Sequence, residues 1–175
     1  MNKRMKNTKK IAFLGLMLAL IIVLMIIERM IPPLPFLPPH FKLGLSNIIV
    51  MYSLFFIGKK DVFLLVALKA SFNAMMRGPL GGVLSLSGGL LSVAVIVLIS
   101  LIFKNKVSYV ALSIAGAIFH NLGQIAVMAV YLQSPILLQF YLPIILIAGT
   151  ILGTITGVSL KTIMPIFHRM HGKQI

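Results

Sequence analysis

The sequence has no cysteine, no tryptophan and only two acidic side chains, Glu28 and Asp61, in 175 residues. Without cysteine there is no disulfide, no thiolate metal site and no thiol nucleophile. Without tryptophan, an interfacial aromatic belt has only the four tyrosines to draw on. Two carboxylates cannot form a cluster that holds magnesium or calcium. A paired-carboxylate acid/base site reduces to a chance meeting of these two residues. The G-x-x-x-x-G-K-[ST], G-x-S-x-G and H-E-x-x-H patterns are missing too. No metal, cofactor or ATP bound through a Walker loop is expected, and no enzymatic activity.

What is present is apolar. Hydrophobic residues make up 59% of the chain and charged ones 10%, with mean hydropathy +1.08. An ordinary soluble domain is about a quarter charged, so this chain cannot cover a surface that faces water, and the solvent around it must be lipid. The formal net charge of +14 does not point to nucleic acid, because the bases sit in short gaps between long apolar runs.

A spanning helix needs roughly 20 mostly apolar residues. The pattern predicts six helices, over about 11–31, 43–57, 62–76, 83–103, 107–131 and 140–164, in a single membrane domain covering 1–175. Lys3, Arg4, Lys6, Lys9 and Lys10 give the first segment the basic flank of a signal peptide. Its apolar run is too long for one, however, and no small-x-small cleavage site follows. Five prolines within 32–39 cannot propagate a helix and predict a stiff loop folded over the membrane face. The second and third segments are short, and Asp61 is the expected N-cap of the third. Arg77-Gly78-Pro79 and Gly81-Gly82 separate the third from the fourth.

Alternating sides along six spans places twelve of the 16 Lys and Arg on one side: the N-terminal flank, the 59–60 and 104–106 turns, and the C-terminal end. The positive-inside rule makes that side, with both termini, cytoplasmic. The expected fold is an all-α integral membrane protein, a six-transmembrane-helix bundle. Arg29, Lys42, Lys69 and Arg77 are left for the outer side or the spans.

A Lys or Arg at the centre of a span costs about 2.5–3.5 kcal/mol on insertion scales, so polar groups there carry information. Lys69, Asn73 and Arg77 follow at i, i+4 and i+8, on nearly one helical face. They are either one wall of an outward-facing pocket or bases snorkelling to the headgroups. His120, Asn121 and Gln124 cluster in the fifth segment, as ligand contacts or as an interhelical clamp. Lys42 and Asn47 open the second segment, and Ser85, Gly88, Gly89 and Ser92 share a face of the fourth. Glu28 is the outer counter-charge for Lys42, Lys69 or Arg77. Polar groups gather in the outer halves of the segments, which predicts a blind pocket for an anionic or polar-headed small molecule. Gly15 with Ala19, and Gly149 with Gly153 and Gly157, put small residues at every fourth position, where another helix can approach closely. That helix is either the chain's own or a partner's.

Lys42-Leu43-Gly44-Leu45-Ser46-Asn47, the glycines of 78–89 and His120-Asn121-Leu122-Gly123-Gln124 resemble the membrane family called heptaprenyl diphosphate synthase component I, or Gx transporters. The resemblance runs from about Ile11 to Ser159. More distantly, the chain is similar to the substrate-binding S components of energy-coupling factor (ECF) vitamin importers. That likeness implies six helices, capture of a micronutrient from outside, and assembly with a transmembrane T component and two ABC-type ATPases. It also implies docking through Gly15 and Ala19, with Gly standing where the family has Ala. The alternative it implies is a non-catalytic membrane accessory protein of polyprenyl diphosphate or quinone synthesis. Prenyl chain elongation uses aspartate-rich motifs to hold magnesium on diphosphates, and one aspartate cannot supply them.

Overall fold

The computed structural model describes residues 3–30, 44–103 and 107–170. Its helices are α1 (Lys3–Met30), α2 (Ser46–Phe56), α3 (Lys59–Ile102), α4 (Tyr109–Tyr131) and α5 (Ile136–Met170), and no strand occurs among the described residues. The proline-rich 32–39 segment, Lys42 and the 104–106 turn lie outside them. Helices α1, α3, α4 and α5 are long and apolar enough to cross a membrane, so the chain is an all-α, multi-pass membrane protein.

Where hydropathy predicts six helices, the described residues form five. The expected helices over 62–76 and 83–103 are one element, α3, interrupted only at Gly78 (φ 80°, ψ 172°) and followed there by Pro79. Glycine takes a positive φ without steric cost. Proline at a first helical position loses no hydrogen bond, because that N–H has no partner within the helix. The reversal therefore needs almost no loop. In a straight helix Val66 and Gly89 would stand roughly 35 Å apart. Here a Cβ on Gly89 would sit 2.6 Å from Val66 Cγ1, and one on Gly82 2.6 Å from Ala74 Cβ. Thus α3 doubles back on itself, with arms 59–77 and 79–102 side by side.

The expected second span is α2, of 11 residues. At 1.5 Å per residue it reaches about 16 Å, half the hydrocarbon thickness. The N-cap of α3 is Gly58, at φ 120°, and not Asp61, which lies in the first turn. An acid there still favours the helix dipole. The Asp61 carboxylate also meets Lys10 Nζ at 2.8 Å, which ties the start of α1 to the start of α3. Ser108 caps α4, its hydroxyl accepting from the Ala111 N–H at 3.2 Å.

Two clusters make up the core. Met17, Met51, Tyr52, Leu65, Ile96, Leu112 and Leu160 join all five helices. Ile21, Met25, Val50, Val62, Val66 and Val93 join α1, α2 and both arms of α3. The α4–α5 contact is a glycine zipper. A Cβ on Gly149, Gly153 or Gly157 would lie 2.9, 2.4 or 2.4 Å from atoms of Ile118, Ile114 and Val110 respectively. Each step of four along α5 matches a step of four back along α4, as antiparallel helices require, and the small residues let the backbones approach. The opposite face of α5 shows Ile147, Ile151, Ile155 and Val158, all more than half exposed, a surface suited to lipid. Thr150 and Thr154 on this helix donate to the carbonyls of Leu146 and Thr150, both at 2.7 Å, so neither hydroxyl needs water.

Gly15 differs from the zipper glycines, because a Cβ there meets nothing within 4 Å. Gly153→Ala should destabilise the protein by about 1–3 kcal/mol through backbone overlap. Gly15→Ala should be neutral or stabilising by up to about 1 kcal/mol from helix propensity. Thermal unfolding of the two variants in one detergent checks this; equal effects would contradict the assigned packing.

Candidate ligand pocket

Helix α1 ends with Met25 and Glu28 facing inward, and the chain re-enters the described structure at Gly44. Gly44 has φ 76°, a backbone conformation that favours glycine. Its N–H donates to Glu28 Oε1, which links the end of α1 to the start of α2. The first arm of α3 contributes Lys69, Asn73 and Arg77, the second arm Gly81, Leu84 and Ser85, and α4 contributes His120 and Gln124. With Ser46, these residues surround a cavity of about 30 Å³, room for about two water molecules.

Helix spacing and glycine contacts together create this convergence. The i, i+4, i+8 stripe turns Lys69, Asn73 and Arg77 to one side of α3, as expected. The reversal at Gly78 then brings Gly81 beneath Asn73, whose Nδ2 donates to the Gly81 carbonyl at 2.6 Å. Gly88 lets α4 approach, since a Cβ there would lie 2.6 Å from His120 O and 3.0 Å from His120 Cε1. Gly123 returns the contact, 2.9 Å from Gly88 Cα by the same measure. Within α4, Gln124 Nε2 and His120 Nε2 are 3.1 Å apart.

Lys69 lies at the floor of the cavity. It is 5% exposed, and its Nζ donates to Asn47 Oδ1 at 2.6 Å. Next to it is a second space of about 10 Å³, lined mostly by apolar residues such as Val50, Leu54, Val66, Val93 and Ile96, with Asn47 and Ser92 among them and with Lys69 and His120 lining both spaces. The lining beyond these two residues is mostly apolar. A larger void, about 750 Å³, is an open apolar trench between Pro79–Val83 and Ala126–Tyr131. It carries no ionisable group other than the Tyr131 phenol, so polar chemistry belongs to the smaller cavity.

Of the residues expected at a site, Lys69, Asn73, Arg77, His120 and Gln124 line this pocket. Asn47 stands behind Lys69 as its acceptor and lines the second space. Asn121 is buried but lines neither cavity; one residue on from His120, it is turned about 100° around the helix. Lys42 lies outside the described residues. Gly15 and Ala19 are on an exposed face of α1, whereas Gly149, Gly153 and Gly157 pack within the chain. Sequence reasoning treats Glu28 as a counter-charge and misses it as a pocket wall together with Met25, although i, i+3 spacing sets the two on one face.

The structure defines a class: a helical multi-pass membrane protein with a small cationic pocket set among its helices. A family model described as heptaprenyl diphosphate synthase component I matches residues 17–163, and the chain belongs to that family. No curated protein and no solved structure matches it significantly. The family description names a component of a synthase. The whole chain holds one Asp and one Glu. Among the described residues no three of His, Asp and Glu come together as metal ligands.

The Asn47–Lys69 contact is a hydrogen bond to a charged group and should show a coupling of about 1.5–3 kcal/mol. Unfolding free energies of Asn47→Ala, Lys69→Met and the double variant measure it. A coupling under about 0.5 kcal/mol would remove Asn47 from its role as the partner of Lys69.

Proposed function

We propose that the chain is the membrane-embedded substrate-binding subunit of an ECF-type importer, taking a small anionic or polar-headed molecule into the pocket around Lys69. One observation carries the proposal: basic and amide side chains from three helical segments converge on one cavity, and the space next to it is lined mostly by apolar residues. A through-pore would need polar lining on both halves. Burying Lys69 and His120 without a ligand to bind has a desolvation cost that a purely structural bundle avoids with apolar residues. A cavity of this size accepts more than waters only after the helices separate around it, so capture includes an opening step.

The partners this proposal calls for are a transmembrane T component and two ATPases, since the chain has no nucleotide site of its own. The bare Gly15–Ala19 face of α1 is the surface that would meet a partner helix. In this arrangement both arms of α3 cross the bilayer and the short α2 crosses where the bilayer thins around it, which gives six crossings with both termini cytoplasmic. The family description favours a second role, that of a non-catalytic membrane partner of a prenyl diphosphate synthase. Co-purification separates the two: a T component with ATPases supports the first, a soluble prenyl synthase subunit the second.

Native mass spectrometry of gently extracted protein should find a retained small molecule. Adding that molecule back should raise the unfolding temperature of the wild type and leave Lys69→Ala unchanged; equal stabilisation of both would sink the proposed site. The absence of cysteine makes orientation directly testable. Lys59→Cys should react with an impermeant maleimide only from the cytoplasmic side, and Ser134→Cys only from outside. Labelling of both from one side would overturn the six-crossing arrangement.

A further inference from the structure

The pocket contains two cationic side chains, but it also holds acceptors with nothing to accept. Glu28 and Asn73 are each 6% exposed and line the cavity. Glu28 Oε1 takes the Gly44 N–H, while Oε2 is buried and has no hydrogen-bond partner among the described residues. Asn73 spends its Nδ2 on the Gly81 carbonyl, while its Oδ1 is likewise buried without a partner among the described residues. A buried acceptor left unpaired costs about 1–3 kcal/mol, so two of them in one small cavity call for donors. The volume of about 30 Å³ fits two waters that would serve in the resting state.

A purely anionic head would face Lys69 and Arg77 but would also bring a further negative group against Glu28. It would also displace the water donors and return none. A purely basic head would meet two cations. We infer that the pocket recognises an amphoteric head group, an N–H donor set beside an acidic group. The acidic part faces Lys69 and Arg77, and the N–H part faces Glu28 Oε2 and Asn73 Oδ1. This rests on the ligand-binding role proposed above and specifies its substrate class.

A matched pair of probes tests it: 2-aminoethylphosphonate, which carries both groups, and ethylphosphonate, which lacks only the ammonium. Apparent affinities are read from shifts in the unfolding midpoint of the full chain in detergent, with inorganic pyrophosphate as a third probe. The wild type should prefer the aminophosphonate by about tenfold, the effect of one charged hydrogen bond. In Glu28→Gln the preference should fall to within about twofold, with ethylphosphonate bound as before or more tightly. The Gln carbonyl can still accept from Gly44, and the wild-type comparison needs no variant at all. If the wild type binds ethylphosphonate or pyrophosphate as tightly as the aminophosphonate, the inference is overturned while the binding role stands. If none of the three shifts the midpoint, both are overturned.

Discussion

The structure depends on accommodating Lys69, an amine near the middle of a helix in an otherwise apolar interior. On insertion scales such a group costs about 2.5–3.5 kcal/mol, and leaving it without acceptors would add to that. Its Nζ is directed at Asn47, which fixes where α2 must begin. His120 lines the same cavity, which fixes the height at which α4 crosses. Asn73 and Arg77 stand one and two turns farther along, so the polar stripe leads from Lys69 toward the reversal at Gly78 and not into lipid. The pocket is therefore a consequence of the accommodation as well as a candidate for function: the groups that make one buried base tolerable also form a lined cavity.

Glycine supplies the geometry that these groups need. Gly78 allows α3 to reverse with almost no loop, so that two stretches of the same helix form adjacent walls. Gly88 and Gly123 admit the α4 backbone close enough for the His120 ring to reach the cavity. At α4–α5 the same device serves stability alone, since Gly149, Gly153 and Gly157 line no pocket. Close approach is thus used once for positioning and once for packing, and the two are told apart by what the neighbouring side chains are. Around the first lie His120 and Gln124; around the second lie Val110, Ile114 and Ile118.

Much of this was legible in the sequence because hydropathy and helical periodicity are local. The stripe of Lys69, Asn73 and Arg77 and the shared face of His120 and Gln124 follow from spacing. What spacing could not supply was longer in range. Two helical arms are expected from the pattern and found, but the reversal between them takes one residue, Gly78, where the sequence suggests a break over 77–82. Asp61 has the composition of a cap, but the positive φ of Gly58 took that role and left the carboxylate for Lys10, which lies 51 positions away in the sequence. Asn121 looked equivalent to His120 in sequence and differs only by its angle around α4. Glu28 was visible as an unusual acid, but its contact with Gly44 lies across a segment rich in proline, which no periodicity bridges.

The scarcity of acid gives those two residues distinct tasks at opposite ends of one helix. Helix α1 shows much of its surface to lipid, with Leu16, Val23 and Ile27 outward, so apolar packing alone holds it on one side only. At its start Lys10 meets Asp61, and at its end Glu28 meets Gly44. Directional contacts near the two ends fix its height and rotation, which lipid-facing contacts cannot do, because lipid tails are as apolar as leucine and favour no particular register. The rotation so fixed turns Met25 and Glu28 inward and leaves Gly15 and Ala19 outward. One acid at each end is sufficient for this, and the one at the pocket end keeps a second carboxylate oxygen buried beside the cavity. A chain with more acids would need more bases buried to match them.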